Sequence, residues 1–115
     1  MLPQQGDKIM IFKDKWLRLI LDGVKKLEVR SCRYKEGNYW VGCKGMIRGK
    51  IALGRPLQIK DVVTWVGLRD RHRIETNELP YKTTWCFEIL DAEAVSPVAF
   101  KHPRGAISIV KYRPK

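Results

Sequence analysis

The stretch with the clearest chemical potential covers residues 23–31, Gly-Val-Lys-Lys-Leu-Glu-Val-Arg-Ser, in which Lys25, Lys26, Glu28 and Arg30 are charged. If this run is a strand, Lys26, Glu28 and Arg30 share one face, because side chains alternate along a strand. One carboxylate between two cations can be a self-contained ion-pair network or the floor of an anion-binding site. The residues alone leave both interpretations open.

A second charged cluster, residues 69–73, reads Arg-Asp-Arg-His-Arg. Its cations could lie beside a nucleic-acid backbone, or the cluster could be an exposed helix end with Asp70 as the local partner of Arg71 and Arg73. A single histidine in such a basic segment favours a surface position for His72 over an acid–base role.

The charge of the chain is strongly positive: 23 Lys and Arg against 12 Asp and Glu give a net charge of +11 and a pI near 9.9. Residues 1–60 carry 14 Lys/Arg against 5 Asp/Glu, whereas residues 61–115 carry 9 against 7. The excess is concentrated in the half that contains residues 23–31. Polyanions are therefore the expected partners, and a general solubility charge is the alternative.

Several classes of protein are disfavoured. No apolar run reaches the roughly 20 residues of a membrane span, and residues 1–13 lack the uninterrupted apolar segment of a signal peptide. We therefore expect an intracellular protein, cytoplasmic or nuclear, with no membrane partner. The three cysteines, Cys32, Cys43 and Cys86, form no CxxC pair and favour neither a disulfide framework nor a zinc site. No metal and no cofactor are predicted.

The length of 115 residues predicts one domain. Residues 1–8 contain Pro, Gly and two Gln and are predicted to be a flexible lead-in to a single domain over residues 9–115. In the first half, apolar patterning predicts a strand at residues 9–12, a helix from Lys15 with Asp14 as N-cap and Gly23 as C-cap, and strands at 39–43, 46–53 and 57–59. Helical spacing assigns Trp16, Leu19 and Ile20 to the core.

The second half of the chain is predicted to hold one further helix and two more strands. The helix falls within residues 61–75, the strands at residues 81–90 and 105–112, and residues 91–103 are predicted to connect them. Short strands with one early helix and one later helix indicate an α+β fold centred on a small, mostly antiparallel β-barrel.

With these residues in view, the chain resembles the ASCH domain family, a branch of the PUA-like barrels. The first matching feature is a helix with Trp16 and Ile20 that leads into Gly23-x-Lys25-x-x-Glu28-x-Arg30-Ser31, similar to the family's GxKxxExR signature. Residues 49–53 resemble its core strand. The aromatic strand with Tyr81, Trp85, Ile89 and Leu90, then Pro97-Val98 and Gly105, resembles its C-terminal pattern. The resemblance spans about residues 9–112.

The resemblance implies a barrel with a cleft used to hold RNA, nucleotides or other anionic ligands. Some members are hydrolases: one group removes the acetyl group of acetylated cytidine with a threonine nucleophile next to the signature lysine, that lysine as base and a distant glutamate. Others are ribonucleases. In this chain Lys26 follows Lys25, so the matching hydroxyl is missing. This departure argues against the amidohydrolase mechanism.

The first functional hypothesis is therefore a nucleic-acid-binding module, with RNA favoured over DNA by the resemblance alone. Trp40, Tyr81 or Trp85 could stack on an unpaired base. The predicted binding residues are Lys25, Lys26, Glu28, Arg30, Ser31, Arg33, Arg71, Arg73 and Tyr81.

The alternative is a nucleotide or RNA hydrolase that uses the same cleft. Lys25 would be the base, Glu28 its acid partner, and Ser31 or Thr84 the nucleophile. A third possibility is a protein-interaction domain whose basic face binds an acidic partner.

Overall fold

The computed structural model describes residues 2–115, and in this part of the chain seven strands form one curled sheet with three short helices. Met1, the first residue of the predicted lead-in, lies outside the described residues. The elements are β1 (Lys8–Ile11), α1 (Asp14–Leu21), β2 (Leu27–Arg30), β3 (Gly37–Cys43), β4 (Met46–Leu53), β5 (Leu57–Ile59), α2 (Val62–Gly67), α3 (Arg69–His72), β6 (Thr84–Ala99) and β7 (Ile109–Lys111).

The sheet has the order β2-β6-β4-β3-β1-β7, with β5 also paired to β6. All pairings are antiparallel except that of β1 with β3. The long strand β6 pairs with β2 and β5 through its first residues and with β4 through the rest, so it joins the two halves of the curl. The predicted α+β fold on a small, mostly antiparallel barrel is confirmed, with the sheet curled into a half-barrel.

Apolar side chains pack on both faces of the sheet. On the inner face, α1 contributes Leu17 and Ile20 to a buried cluster with strand residues that include Met10, Val41 and Phe87. Gly49 permits this approach, since an added Cβ would lie 2.8 Å from a Leu21 methyl carbon and 2.9 Å from the Glu93 carbonyl oxygen. A second cluster contains Ile9, Trp40, Ile47, Phe100, Val110 and Tyr112, and a third contains Val29, Ile59, Trp65 and Cys86.

Helix α1 begins one residue earlier than predicted, and its C-cap is Asp22 instead of the predicted Gly23. Lys13 occupies the N-cap position without a side-chain hydrogen bond, and Asp14, predicted as the cap, is instead the first helical residue, with an ion pair to Arg18 at 2.9 Å. At the other end Gly23 adopts a left-handed φ of +76°, which a glycine tolerates without a steric penalty. The turn directs the chain into β2.

Two predicted elements differ from the structure. The helix predicted within residues 61–75 is split into α2 and α3, and Asp61 caps α2 by accepting from the Thr64 amide at 2.8 Å. The prediction that residues 91–103 connect two strands is wrong, since β6 continues to Ala99. Pro97 fits in this strand because the pairing with β4 shifts between Ala94 and Val98, where its missing N–H breaks no ladder bond.

Within the stretch predicted as a lead-in, Gly6 donates its amide to Tyr112, and the Tyr112 amide donates to the Asp7 carbonyl at 2.6 Å. The indole N–H of Trp40 donates to the Asp7 carboxylate at 3.0 Å. In residues 2–115 there is no helix with the length and apolar character needed to cross a bilayer.

Candidate functional site

The turn between α1 and β2 fixes the direction of two neighbouring lysines. The amides of Val24 and Lys25 both donate to the Leu19 carbonyl, at 2.9 and 3.0 Å, which anchors the turn to the helix. The Lys26 amide donates to the Arg71 carbonyl at 2.7 Å, and the Lys26 carbonyl accepts from Ile89 at 2.9 Å. With the backbone held on both sides, the Lys25 side chain is 2% exposed, whereas Lys26 is exposed.

The buried ammonium of Lys25 is held by a main-chain carbonyl and an aromatic ring. Its Nζ donates to the His72 carbonyl oxygen at 2.5 Å and lies 4.8 Å from the centroid of the Trp16 ring. Burial lowers the pKa of Lys25 to about 8, Glu28 and Cys86 act in the opposite direction, and Arg30 lowers the pKa further. A substantial share of this amine is therefore neutral near physiological pH.

His72 is fully buried, so the expectation of a surface histidine is wrong. Its ring stacks on Trp65 with centroids 3.8 Å apart. Its Nδ1 accepts from the Ile74 amide at 2.9 Å, and its Nε2 lies 2.8 Å from the Trp65 carbonyl, which can only accept. The ring is therefore neutral with the proton on Nε2. The pKa of His72 is lowered, and burial is the main cause. These contacts position the carbonyl that receives Lys25.

The buried Glu28 and the partly buried Arg30 form an ion pair on β2. Arg30 Nε donates to Glu28 Oε2 at 2.5 Å, and Arg30 Nη2 donates to the Ile11 carbonyl at 2.8 Å. The guanidinium also lies 4.7 Å from the centroid of the Phe12 ring. The second carboxylate oxygen, Oε1 of Glu28, accepts no hydrogen bond from residues 2–115 and remains available as an acceptor.

Lys25, Glu28 and Arg30 line one cleft of about 480 Å³ between α1, β2 and the loops that precede β6 and β7. Tyr81, 43% exposed, contributes an accessible aromatic ring at this cleft. The remaining lining residues add one cation and mostly apolar surface: Ile11, Phe12, Lys13, Trp16, Val29, Ile74, Pro80 and Ile107. The cleft thus combines three cations, one carboxylate and aromatic walls.

The other predicted binding residues, all exposed, lie outside the cleft lining: Lys26, Ser31, Arg33, Arg71 and Arg73. The Arg33 guanidinium lies 5.7 Å from the Trp85 ring, and Arg71 lies 4.0 Å from the Glu88 carboxylate.

Neither proposed hydroxyl nucleophile faces the cleft. Ser31 is on the surface, and Thr84 is buried with its hydroxyl donating to the Tyr81 carbonyl at 3.1 Å. Among residues 2–115, no three His, Cys, Asp or Glu side chains form a group that could hold a metal ion.

Sequence reasoning missed Trp16 and Phe12 as walls of the cleft. Helical spacing assigned Trp16 to the core, and it does pack against the inner cluster, but it also contacts Lys15 and Lys25. The available signal was that each aromatic residue borders a lysine in sequence, Phe12 with Lys13 and Trp16 with Lys15.

A larger cleft of about 590 Å³ lies at the opposite end of β1, beside Asp7, Lys8, Tyr39, Trp40 and Lys50. Tyr39 and Trp40 are 4% and 6% exposed, so this cleft offers no open aromatic face for stacking. The chemistry predicted from residues 23–31 lies in the smaller cleft.

Comparison with known proteins identifies the fold. No protein-family model and no curated protein matches the chain. The crystal structure of ASCH from Zymomonas mobilis is similar, with 15% sequence identity, a TM-score of 0.72, and coverage of 96% of this chain and 90% of that one. Two mutants of that protein superpose with TM-scores of 0.71, covering 97% and 95% of this chain and 92% and 91% of theirs. The chain therefore has the fold of the ASCH domain, as its sequence resemblance implies.

Proposed function

We propose that the cleft around Lys25, Glu28 and Arg30 binds an unpaired nucleotide of RNA. The observation that carries this proposal is that one cleft is lined by a buried carboxylate (Glu28), a buried amine (Lys25) and an exposed aromatic ring (Tyr81). A volume of about 480 Å³ accommodates one nucleoside. RNA recognition commonly uses splayed bases that stack on aromatic side chains.

The hydrogen-bonding edge of a base supplies what the buried groups lack. Glu28 Oε1 accepts no hydrogen bond from residues 2–115, and the Lys25 ammonium has three donors, of which the His72 carbonyl takes one. Nucleobases carry donors and acceptors side by side on their edges. A base that satisfies Glu28 and Lys25 together gains selectivity, because an analogue without the matching pattern leaves a buried polar group unpaired.

Stacking and phosphate contacts complete the proposal. Tyr81 can stack on the base, a contact of about 1–3 kcal/mol where it is made. Lys13 lies at the cleft, and the exposed cations Lys26, Arg33, Arg71 and Arg73 supply phosphate contacts on the surrounding surface. The net charge of +11 favours the encounter with a polyanion.

A salt titration tests this function. The affinity of the protein for a short single-stranded RNA, measured by fluorescence anisotropy, should fall steeply as salt rises, since phosphate binding releases counterions. Competition with a single-stranded DNA of the same sequence and with an acidic peptide separates RNA binding from general polyanion binding. Equal affinity for the peptide would support the protein-interaction alternative and contradict the proposal.

A second function, hydrolysis of a nucleotide or RNA linkage in the same cleft, is favoured by one observation. Lys25 has a pKa near 8 and faces a cleft that also holds Glu28, which suits a general base and its acid partner. Among the cleft residues of the described chain no Ser or Thr is present, so water would be the nucleophile. Lys26 and Ser31 lie on the surface and are therefore not assigned a part in this hydrolysis.

This second function is tested by incubating the protein with acetylated cytidine and with labelled RNA. Turnover that disappears in Lys25→Ala, while Lys111→Ala on the exposed part of β7 retains it, supports hydrolysis at this cleft. Turnover unaffected by Lys25→Ala identifies a contaminant or another site.

A further inference from the structure

The environment of the Lys25 amine differs from that of a structural ion pair. Its Nζ is bonded to a neutral carbonyl, and none of the carboxylates in residues 2–115 lies within ion-pair distance of it. The surrounding chain is fixed, because the backbone on both sides of Lys25 is hydrogen-bonded to α1, α3 and β6. An amine with a rigid support and no ion-pair partner can expose its lone pair to a bound molecule once it is neutral.

We propose that Lys25 is a nucleophile that forms a reversible imine with the aldehyde of an abasic nucleotide. This inference rests on the proposed nucleotide-binding function and assigns to the same cleft a second, covalent class of ligand. The open-chain form of a sugar that has lost its base carries an aldehyde at C1′, and a primary amine condenses with such a carbonyl.

Geometry explains why an abasic nucleotide would react and an intact one would not. Lys25 is 2% exposed at the wall of the cleft, where the edge of a bound base would lie. An intact base keeps the C1′ atom separated from Nζ by the width of its ring. When the base is missing, the sugar can enter the space and bring C1′ to the amine.

The condensation balances with the groups present. The Nζ lone pair forms a bond to C1′ while the carbonyl electrons move to oxygen, and the resulting carbinolamine then loses that oxygen as water as the C=N bond forms. The two hydrogens of the neutral amine leave in the water molecule. The Glu28 carboxylate, which faces the same cleft, can take a proton from nitrogen and return it to the departing hydroxyl. The step needs no oxidant and no reductant.

The protonation state supports this reactivity. With a pKa near 8, roughly a quarter of Lys25 amines are neutral at about pH 7.5. An ordinary lysine is neutral in about one molecule in a thousand at that pH. Reaction at Lys25 should therefore level off above about pH 8, whereas reaction at exposed lysines keeps increasing up to about pH 10.

Trapping with cyanoborohydride tests the inference, because it reduces an imine to a stable secondary amine. The purified protein is incubated with a single-stranded RNA that carries one abasic nucleotide, and the modified residue is located by mass spectrometry of the tryptic peptides of the unaltered chain. We expect an adduct on Lys25 at a rate at least about tenfold above that of Lys26, its exposed neighbour in sequence. Lys25→Arg should abolish the adduct, whereas Lys111→Arg, at an exposed lysine of β7 outside the cleft lining, should not.

Parallel binding of intact RNA separates the two proposals. If intact RNA binds but Lys25 gives no adduct, the imine inference is wrong and the binding function stands. If the protein neither binds intact RNA nor forms the adduct, both proposals are contradicted. Modification spread evenly over the exposed lysines also overturns the inference, and because the mapping uses the unaltered chain, this conclusion does not depend on how the variants fold.

Discussion

The side-chain nitrogen of Lys25 donates to the main-chain carbonyl of His72 at 2.5 Å, although the Glu28 carboxylate lines the same cleft. This link joins the turn after α1 to the end of α3, 47 residues along the chain. The Glu28 carboxylate instead forms its ion pair with Arg30, which is also on β2. Each of these groups therefore has a separate structural support, and substitutions can distinguish them.

Lys25→Met should remove a pH dependence of stability. Above about pH 8 the folded chain holds Lys25 neutral, while the unfolded chain stays protonated up to its ordinary pKa of 10.5. The unfolded state then binds more protons, so the unfolding free energy of the unaltered protein rises with pH in this window. Relative to Lys25→Met, the rise from about pH 7 to about pH 9 should be roughly 1 kcal/mol, measured by urea denaturation. An equal slope in both proteins would contradict a lowered pKa at Lys25.

His72→Phe should remove a sensitivity to acid. The pKa of His72 is below its usual value of 6.5, because the buried ring resists protonation. As pH falls through 6.5, the unfolded chain gains a proton that the folded chain does not, and the unaltered protein loses stability. Phe can keep the stacking on Trp65 but cannot titrate, so its variant should be less stable at neutral pH and show a smaller loss on acidification. Thermal unfolding at several pH values, with His102→Phe as control, measures this.

Arg30→Ala should destabilise the fold by about 3 kcal/mol, because it leaves the buried Glu28 carboxylate without its partner. The double variant with Glu28→Gln should recover part of that loss, since the neutral amide no longer carries an uncompensated charge. A double-mutant cycle from urea denaturation gives the coupling. Additive effects of the two substitutions would mean that the pair is not coupled.

Tyr81→Ala should weaken RNA binding by about 1–3 kcal/mol through loss of stacking, and Tyr81→Phe should retain most of the affinity. Tyr81 is exposed, so neither change should alter the unfolding temperature much. Lys111→Ala on β7 is the control for charge, because Lys111 is exposed and outside the cleft lining. Anisotropy titrations at one salt concentration compare the three variants. If Lys111→Ala weakens binding as much as Tyr81→Ala, the RNA is held by general charge and not by the cleft.

Gly49→Ala should cost about 2 kcal/mol or more, because the new methyl group would meet the Glu93 carbonyl at 2.9 Å as well as Leu21. Gly67→Ala is the matched control: nothing lies within 4 Å of its added Cβ, and it is helical. That change should leave stability unchanged or raise it by up to about 1 kcal/mol. Chemical denaturation of both variants decides whether the approach of α1 to the sheet depends on Gly49.

Much of the fold was predictable because local patterns agree with their surroundings. The strand at residues 46–53 was predicted with its observed bounds, since it is rich in apolar residues, and in the structure every second residue along it is buried. The end of α1 followed from Gly23, whose backbone conformation few other residues adopt. The continuation of β6 past Leu90 could not be predicted in this way, because its outer part is largely exposed and includes Pro97.

The site was predictable in its core and not in its surroundings. Glu28 and Arg30 share a face because they are two residues apart in a strand. Lys25 lies before β2, and its ammonium donates to the carbonyl of His72, which is distant in sequence. The neighbouring arginines suggested that His72 was on the surface, whereas it is buried. No local sequence pattern predicts that the histidine of this Arg-rich segment is buried and stacks on Trp65.

The end position of β2 in the sheet has a consequence for hydrogen exchange. Its strand ladder runs along one side only, to β6, and next to it the Lys26 amide is bonded to α3. Opening of β2 therefore breaks one short ladder and leaves the pairings of β3 with β4 and β1 intact. The amides of β2 should exchange through a local fluctuation of lower free energy than global unfolding. The pairings of β3 with β4 and β1 can thus persist while the amides of β2, the strand that bears Glu28 and Arg30, exchange with solvent.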